Sequence, residues 1–158
     1  VSTPKRLADG ANTIAIFDAV DTADHSILLY NGTGGWEAMS SQEAFEPLDG
    51  IWIYANGTYE IPLPFAGGSV ATPPTKDLDE GWNAVGFSDT VAASAAEALL
   101  SVDGAWTTLF GFDAGMQSYD VSIINGATGR HGDDRTMNPT QGYWLYMNEA
   151  GTLAAIGA

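Results

Sequence analysis

Four aromatic side chains stand where they could do chemistry together. Trp52 and Tyr54 lie in Gly50-Ile51-Trp52-Ile53-Tyr54-Ala55-Asn56-Gly57-Thr58-Tyr59, and Trp144 and Tyr146 in Gly142-Tyr143-Trp144-Leu145-Tyr146-Met147-Asn148-Glu149-Ala150-Gly151-Thr152-Leu153. A large amphipathic ring that is exposed can stack on the flat face of a sugar, whereas a buried one fills a core or an interface. Successive side chains of a strand point to opposite sides, so Trp52 and Tyr54 share one face while Ile51 and Ile53 share the other. In the later stretch Trp144 and Tyr146 oppose Tyr143, Leu145 and Met147. Neither face is polar, which is the pattern of a strand covered on both sides or engaged at an interface. The four rings are therefore the candidate binding stripe, and burial predicts a structural role for it.

Other residue types with catalytic or ligating capacity do not assemble into a recognised pattern. His25 sits in an acidic loop and His131 in a polar one, neither at a metal-ligand spacing, so both read as solvated histidines. No nucleophile elbow, phosphate loop or dinucleotide fingerprint occurs. Paired carboxylates could serve glycoside hydrolysis, but twenty acids make chance pairs inevitable. The chain is thus expected not to be an enzyme and to need no cofactor. Asp18, Asp21 and Asp24, the run Asp77-Leu78-Asp79-Glu80, and Asp133-Asp134 could supply oxygens to a structural Ca²⁺, with a solvated acidic face as the simpler reading. Arg130, His131, Asp133, Asp134 and Arg135 either pair within their loop or form a mixed-charge patch. Asn31-Gly32-Thr33 and Asn56-Gly57-Thr58 are glycosylation acceptors placed in predicted turns, where Asn-Gly has a turn-forming role of its own.

Charge narrows the partners. Twenty acidic residues against five basic ones give a net charge of -15, spread over both halves of the 158-residue chain. Such a surface repels nucleic acid. It fits a salt-loving source, because at molar salt the Debye length falls to about 3 Å and the self-repulsion disappears. Lys5 and Lys76 are the only lysines, which agrees with that reading. Without cysteine there are neither disulfides nor thiolate metal sites. No apolar run is long enough to span a bilayer as a helix, and Val1 to Arg6 lacks an apolar signal segment.

The elements that must position the stripe are mostly strands. Asn12–Phe17, Ile27–Tyr30 and Trp36–Met39 read as strands, the last two joined by the turn at Asn31 to Gly35. Gly50–Tyr59 predicts a hairpin about Asn56-Gly57, its return ending at Pro62 and Pro64. Residues 66–80, with Gly67-Gly68 and Pro73-Pro74, read as a linker. Gly81–Phe87 then matches the block starting at Gly10, and Trp106–Phe112 with Tyr119 matches Ile27–Trp36. A helix over about residues 90–101 is expected, capped by Asp89. The blocks recur in one order, so the chain reads as a degenerate tandem repeat.

Gly81-Trp82-Asn83-Ala84-Val85-Gly86, the aromatic strand before Asp113, and Gly142-Tyr143-Trp144-Leu145 with Glu149-Ala150-Gly151-Thr152-Leu153 resemble a repeat module of large secreted surface proteins of archaea and bacteria. The resemblance covers residues 81–157 well and 10–63 loosely. It implies an extracellular, mostly β module serving in architecture, adhesion or display. The expected fold is therefore mostly β: two related small β-sandwich or open-barrel units, residues 1–65 and 81–158, joined by the linker. The expected function is a non-catalytic structural or interaction module of an exported surface (cell envelope, filament or virus particle) of a halophilic organism. Its partners would be other protein subunits, and in the alternative reading, a carbohydrate-binding module, glycans.

Overall fold

The computed structural model describes residues 1–68 and 72–155. The fold is mostly β, built from several small antiparallel sheets, none closed into a barrel. In the first half come helix α1 (Thr13–Phe17) and strands β1 (Leu28–Asn31), β2 (Gly35–Ala38) and β3 (Ile51–Trp52). Then follow β4 (Thr75–Leu78), β5 (Gly81–Gly86), β6 (Ala93–Ser94) and helix α2 (Ala95–Ala98). The remaining strands are β7 (Trp106–Asp113), β8 (Ser118–Tyr119), β9 (Ile123–Ile124), β10 (Thr136–Met137), β11 (Gly142–Met147) and β12 (Gly151–Ala154).

Strand β11 is the centre of the main sheet, in the order β5-β11-β7-β8, with β9 continuing along the free edge of β7. The alternation read from its sequence is realised: Tyr143, Leu145 and Met147 are buried, while Trp144 and Tyr146 are half-buried on the opposite face. Val85, Trp106, Leu109, Leu99, Val102 and Leu153 complete the core beneath it. A smaller core gathers Ile16, Phe17, Phe45 and Ile51 in the first half.

Three strands of the first half repeat three of the second in order and register. Sheet β2-β1-β3 corresponds to β8-β7-β11. Trp52 lies opposite Leu28 as Trp144 lies opposite Phe110, and Tyr30 faces Trp36 as Phe112 faces Tyr119. The Asn31 side chain accepts from the Thr33 and Gly34 N–H groups in the first turn, and Asp113 accepts from the Met116 N–H in the second.

The match stops there. Asn12–Phe17, expected as a strand equivalent to β5, is a helix: Asn12 caps α1 by accepting from the Ala15 N–H at 3.1 Å, and its buried residues Thr13, Ile16 and Phe17 follow helical spacing. Ile14 is consequently exposed, whereas Val85, its expected counterpart, is fully buried. The hairpin predicted after Gly50 does not form either. Asn56-Gly57 turns the chain, but residues 58–63 make no strand, and Pro62 and Pro64 lack the N–H donors that a ladder requires. Ile61 and Leu63 pack instead on the small core.

Two corrections concern the second half. The stretch expected as a linker holds β4, which pairs with β12 from Leu78↔Gly151 to Thr75↔Ala154; its residues 69–71, like residues 156–158 at the end of the second unit, lie outside the described residues. The helix expected over 90–101 is reduced to α2 and a 3-10 turn at Leu100–Val102, because Ala93 and Ser94 are held extended against β10. Its cap is Ser94 rather than Asp89, in a reciprocal arrangement with Glu97. Hydrogen bonds first from the Ser94 hydroxyl and then from its N–H hold the Glu97 carboxyl below its usual range.

The two halves join by close backbone approach. Asp49 bridges Val85, and Ser2 is inserted between the halves, donating through its N–H to Thr140 O and through Oγ to Gln141 O, each at 2.8 Å. Lys76 and Asp49 form an ion pair across the same junction. A Cβ on Gly50 would fall 2.7 Å from the Val85 carbonyl oxygen and 2.8 Å from its nitrogen, and backbone cannot rotate aside. Gly50→Ala is therefore expected to destabilise the protein by about 1–3 kcal/mol through overpacking, measured as a lower urea midpoint. An unchanged midpoint would show that this junction is looser than its spacing.

Candidate functional site: an aromatic cleft

Strand parity and register bring together more rings than the four of the sequence stripe. On the face of the main sheet away from the core, Trp82 of β5 lies opposite Tyr146, Phe110 of β7 opposite Trp144, and Tyr119 of β8 opposite Phe112. The β1–β2 hairpin and β3 lean over this face with Tyr30, Trp36 and Trp52. Trp144 is the hub: its ring centroid is 4.9 Å from Tyr30, 5.5 Å from Trp36 and 6.4 Å from Trp82, all near edge-to-face. Trp52 meets Phe112 at 4.8 Å and Trp36 at 6.3 Å. Phe110 and Tyr119 close the circuit. Edge-to-face contact sets the positive rim of one ring on the negative face of the next, which stiffens the array.

The array is only half covered. Trp36 is 46 %, Trp82 38 % and Tyr119 57 % exposed. The stripe itself, expected to be buried, is half-buried at Trp52, Trp144 and Tyr146 and 46 % exposed at Tyr54. Tyr54 is not part of the array: it follows β3 outside any strand, and its ring packs on His25 at 4.7 Å.

Between the first-half strand β3 and the second-half strands β7 and β11 opens a cleft of about 410 Å³. Trp36, Trp52, Phe112 and Trp144 form its aromatic walls, and Tyr54 lies at its rim. Gln117, Gln141 and Thr58 add neutral polar groups. Gln141 is fixed, accepting from the Tyr143 hydroxyl at 3.0 Å and donating to Asp120 at 3.1 Å. Burial, the largest influence, raises the Tyr143 phenol above its usual pKa. Gln117 holds a left-handed backbone, φ 51°, on the turn between β7 and β8. Among the described residues no Asp, Glu, Lys, Arg or His side chain lines this cleft.

The remaining candidates do not converge on it. Asn31 and Asn56 are both exposed; Asn31 accepts from the Thr33 hydroxyl at 3.1 Å, while Asn56 donates its amide to Asp21. Asp21 is held below the usual carboxyl range, chiefly by the Ala23 N–H and then by Asn56. Among the described residues no three His, Asp or Glu side chains gather as a metal set: Asp77 accepts from Thr152, Asp79 engages Asn83 through its backbone, and Asp133 accepts from the Gly126 N–H. The loop of Arg130 to Arg135 is braced through backbone groups rather than ion pairs. Arg135 donates to Val121 O, and His131 Nδ1 donates to Ser122 O at 2.8 Å. Trp36, Trp82, Phe110, Phe112 and Tyr119 were not singled out from sequence as site residues; the alternation Phe110-Gly111-Phe112 was the available signal. Compared with protein-family models, curated proteins and solved structures, the chain matches none.

Proposed function

We propose that this chain is a non-catalytic interaction module of an exported surface in a salt-loving organism, acting in assembly or adhesion. The observation that carries the reading is the half-open aromatic face in a chain of net charge -15. Exposing so much ring surface costs solubility, and contiguous exposed apolar patches on soluble proteins mark sites of contact. Among the described residues no carboxylate, imidazole, Lys or Arg side chain lines the cleft, which supports binding rather than catalysis. The acidic surface supports a saline exterior. Beside assembly with neighbouring subunits, the cleft itself favours a second reading, binding of glycans.

Immunogold electron microscopy of the source cells and the particles they shed tests the location, with an antibody against this chain. Label on an ordered envelope, filament or particle is expected. Label confined to the cytoplasm would end the proposal.

A further inference from the structure

We infer that the cleft walled by Trp36, Trp52, Phe112 and Trp144 binds an uncharged carbohydrate chain. The inference rests on the reading of the protein as a non-catalytic binder and names the ligand class of its site. Three properties of the cleft select that class.

The first is charge. The chain carries twenty acids, yet among the described residues no acidic and no basic side chain lines the cleft. A phosphate, sulfate or uronate would meet no basic side chain there to offset its lost hydration, and the Val1 amino group, which also lines the cleft, has its pKa lowered to about 6 by burial and already donates to Ile51 O. A cationic ligand would meet no carboxylate to hold it. The ligand that loses least by entering is neutral.

The second is the kind of surface presented. Pyranose rings carry patches of C–H bonds that lie flat on aromatic faces, and their hydroxyls demand both donors and acceptors. The cleft supplies both. Its lining holds the indole N–H donors of Trp36, Trp52 and Trp144 and the Thr58 hydroxyl, and the Gln117 amide, whose nitrogen donates to Ala114 O, adds a carbonyl acceptor. The peptide groups of Tyr54 and Ala55 enter no backbone hydrogen bond among the described residues. A purely apolar ligand would leave these groups dry, whereas a polyol satisfies them.

The third is size and preorganisation. About 410 Å³ falls within the range of small-ligand sites. The edge-to-face contacts of Trp144 with Tyr30 and Trp36 fix the walls before a ligand arrives. Little ordering then remains to oppose binding.

Titration of the full chain in molar salt, followed by tryptophan fluorescence and by NMR, tests the inference. The probes are maltotriose, cellotriose, mannotriose and triacetylchitotriose, with trigalacturonate as the anionic counterpart. At least one neutral trisaccharide is expected to bind saturably, and trigalacturonate at least about tenfold more weakly. Trp36→Ala is expected to weaken the neutral sugar at least about tenfold, and Gln117→Ala by several fold. Should the Trp36 variant misfold, the Gln117 variant and the charge comparison still decide the matter. Binding of none of the neutral probes, or tighter binding of trigalacturonate, overturns the inference. Association with a protein subunit that blocks the same tryptophans, without sugar binding, also overturns it while leaving the proposed interaction module standing. Cleavage of a bound probe instead leaves the ligand class intact and sinks the non-catalytic reading.

Discussion

Trp106→Ala is expected to remove about 3–5 kcal/mol of stability, a large share of the roughly 5–15 kcal/mol available to a folded domain. Trp106 is 2 % exposed and stands at the β7 end of the β7–β11 pairing, opposite Met147. It shares the main core with Leu99 and Val102, from the turn that follows α2, and with Leu153 of β12, so no single movement can refill the space. The Trp106 carbonyl also accepts from Asn125, which anchors the chain just beyond β9. The expected drop in melting temperature is about 10 °C or more for a chain of this size. By contrast Trp36 lies on an edge strand and is 46 % exposed, so Trp36→Ala should cost about 1 kcal/mol and keep the fold. Parallel urea titrations of the two variants check this. Equal losses would mean that the aromatic face, not the core beneath β11, holds the fold together.

Raising salt from about 0.1 M to about 2 M is expected to lift the melting temperature by about 10 °C or more, as the Debye length shrinks from about 10 Å to about 3 Å or less. The charge is -15, and among the described residues the Lys76–Asp49 pair is the one ion pair. Nearly all of the acidic residues therefore contribute repulsion without a local partner. Screening removes that repulsion in the folded state, where the charges are close, more than in the unfolded chain. Sucrose strengthens burial by exclusion but screens nothing, so it should reproduce only a small part of the rise. Thermal melts in sodium chloride, potassium chloride and sucrose separate the two effects. A melting temperature unchanged across the salt range would remove the basis for a saline habitat.

The parts of the fold legible in the sequence are those whose neighbours lie close along the chain. Asn31 to Gly35 carries its turn in its own side chains, and Gly142 to Met147 carries its two faces in its alternation, so β1, β2 and β11 could be placed. Thr13 to Phe17 is ambiguous by composition: Ile and Phe suit a strand, and only contact with Phe45 and Ile51 makes the helical spacing the one that buries Ile16 and Phe17. The return after Gly57 failed for a local reason, its two prolines, which the pattern of apolar residues outweighed in the reading. The site was half legible. Trp52 and Trp144 stand out by sequence alone, but their meeting with Trp36 and Phe112 depends on how the halves dock. That docking is set by Gly50 and Gly86, where backbone meets backbone and no side-chain pattern records it.

The pairing of β4 with β12 has a kinetic consequence. Residues 75–78 find their partner in residues 151–154, so the ladder closes a loop that contains the whole main sheet. Closing so long a loop is unfavourable until the intervening strands have condensed, which places this step late and makes folding slow, as in other folds dominated by distant contacts. During synthesis β4 waits as a bare edge, open to the wrong strand of another chain. Its sequence answers that hazard: Lys76 and Asp77, side by side on opposite faces, put a charge on each side of the waiting strand, and a ladder with a second copy would bring these ionic groups together out of water. The same two residues are then used in the finished protein, Lys76 on Asp49 and Asp77 on Thr152, so the guard against misassembly becomes the latch of the native state.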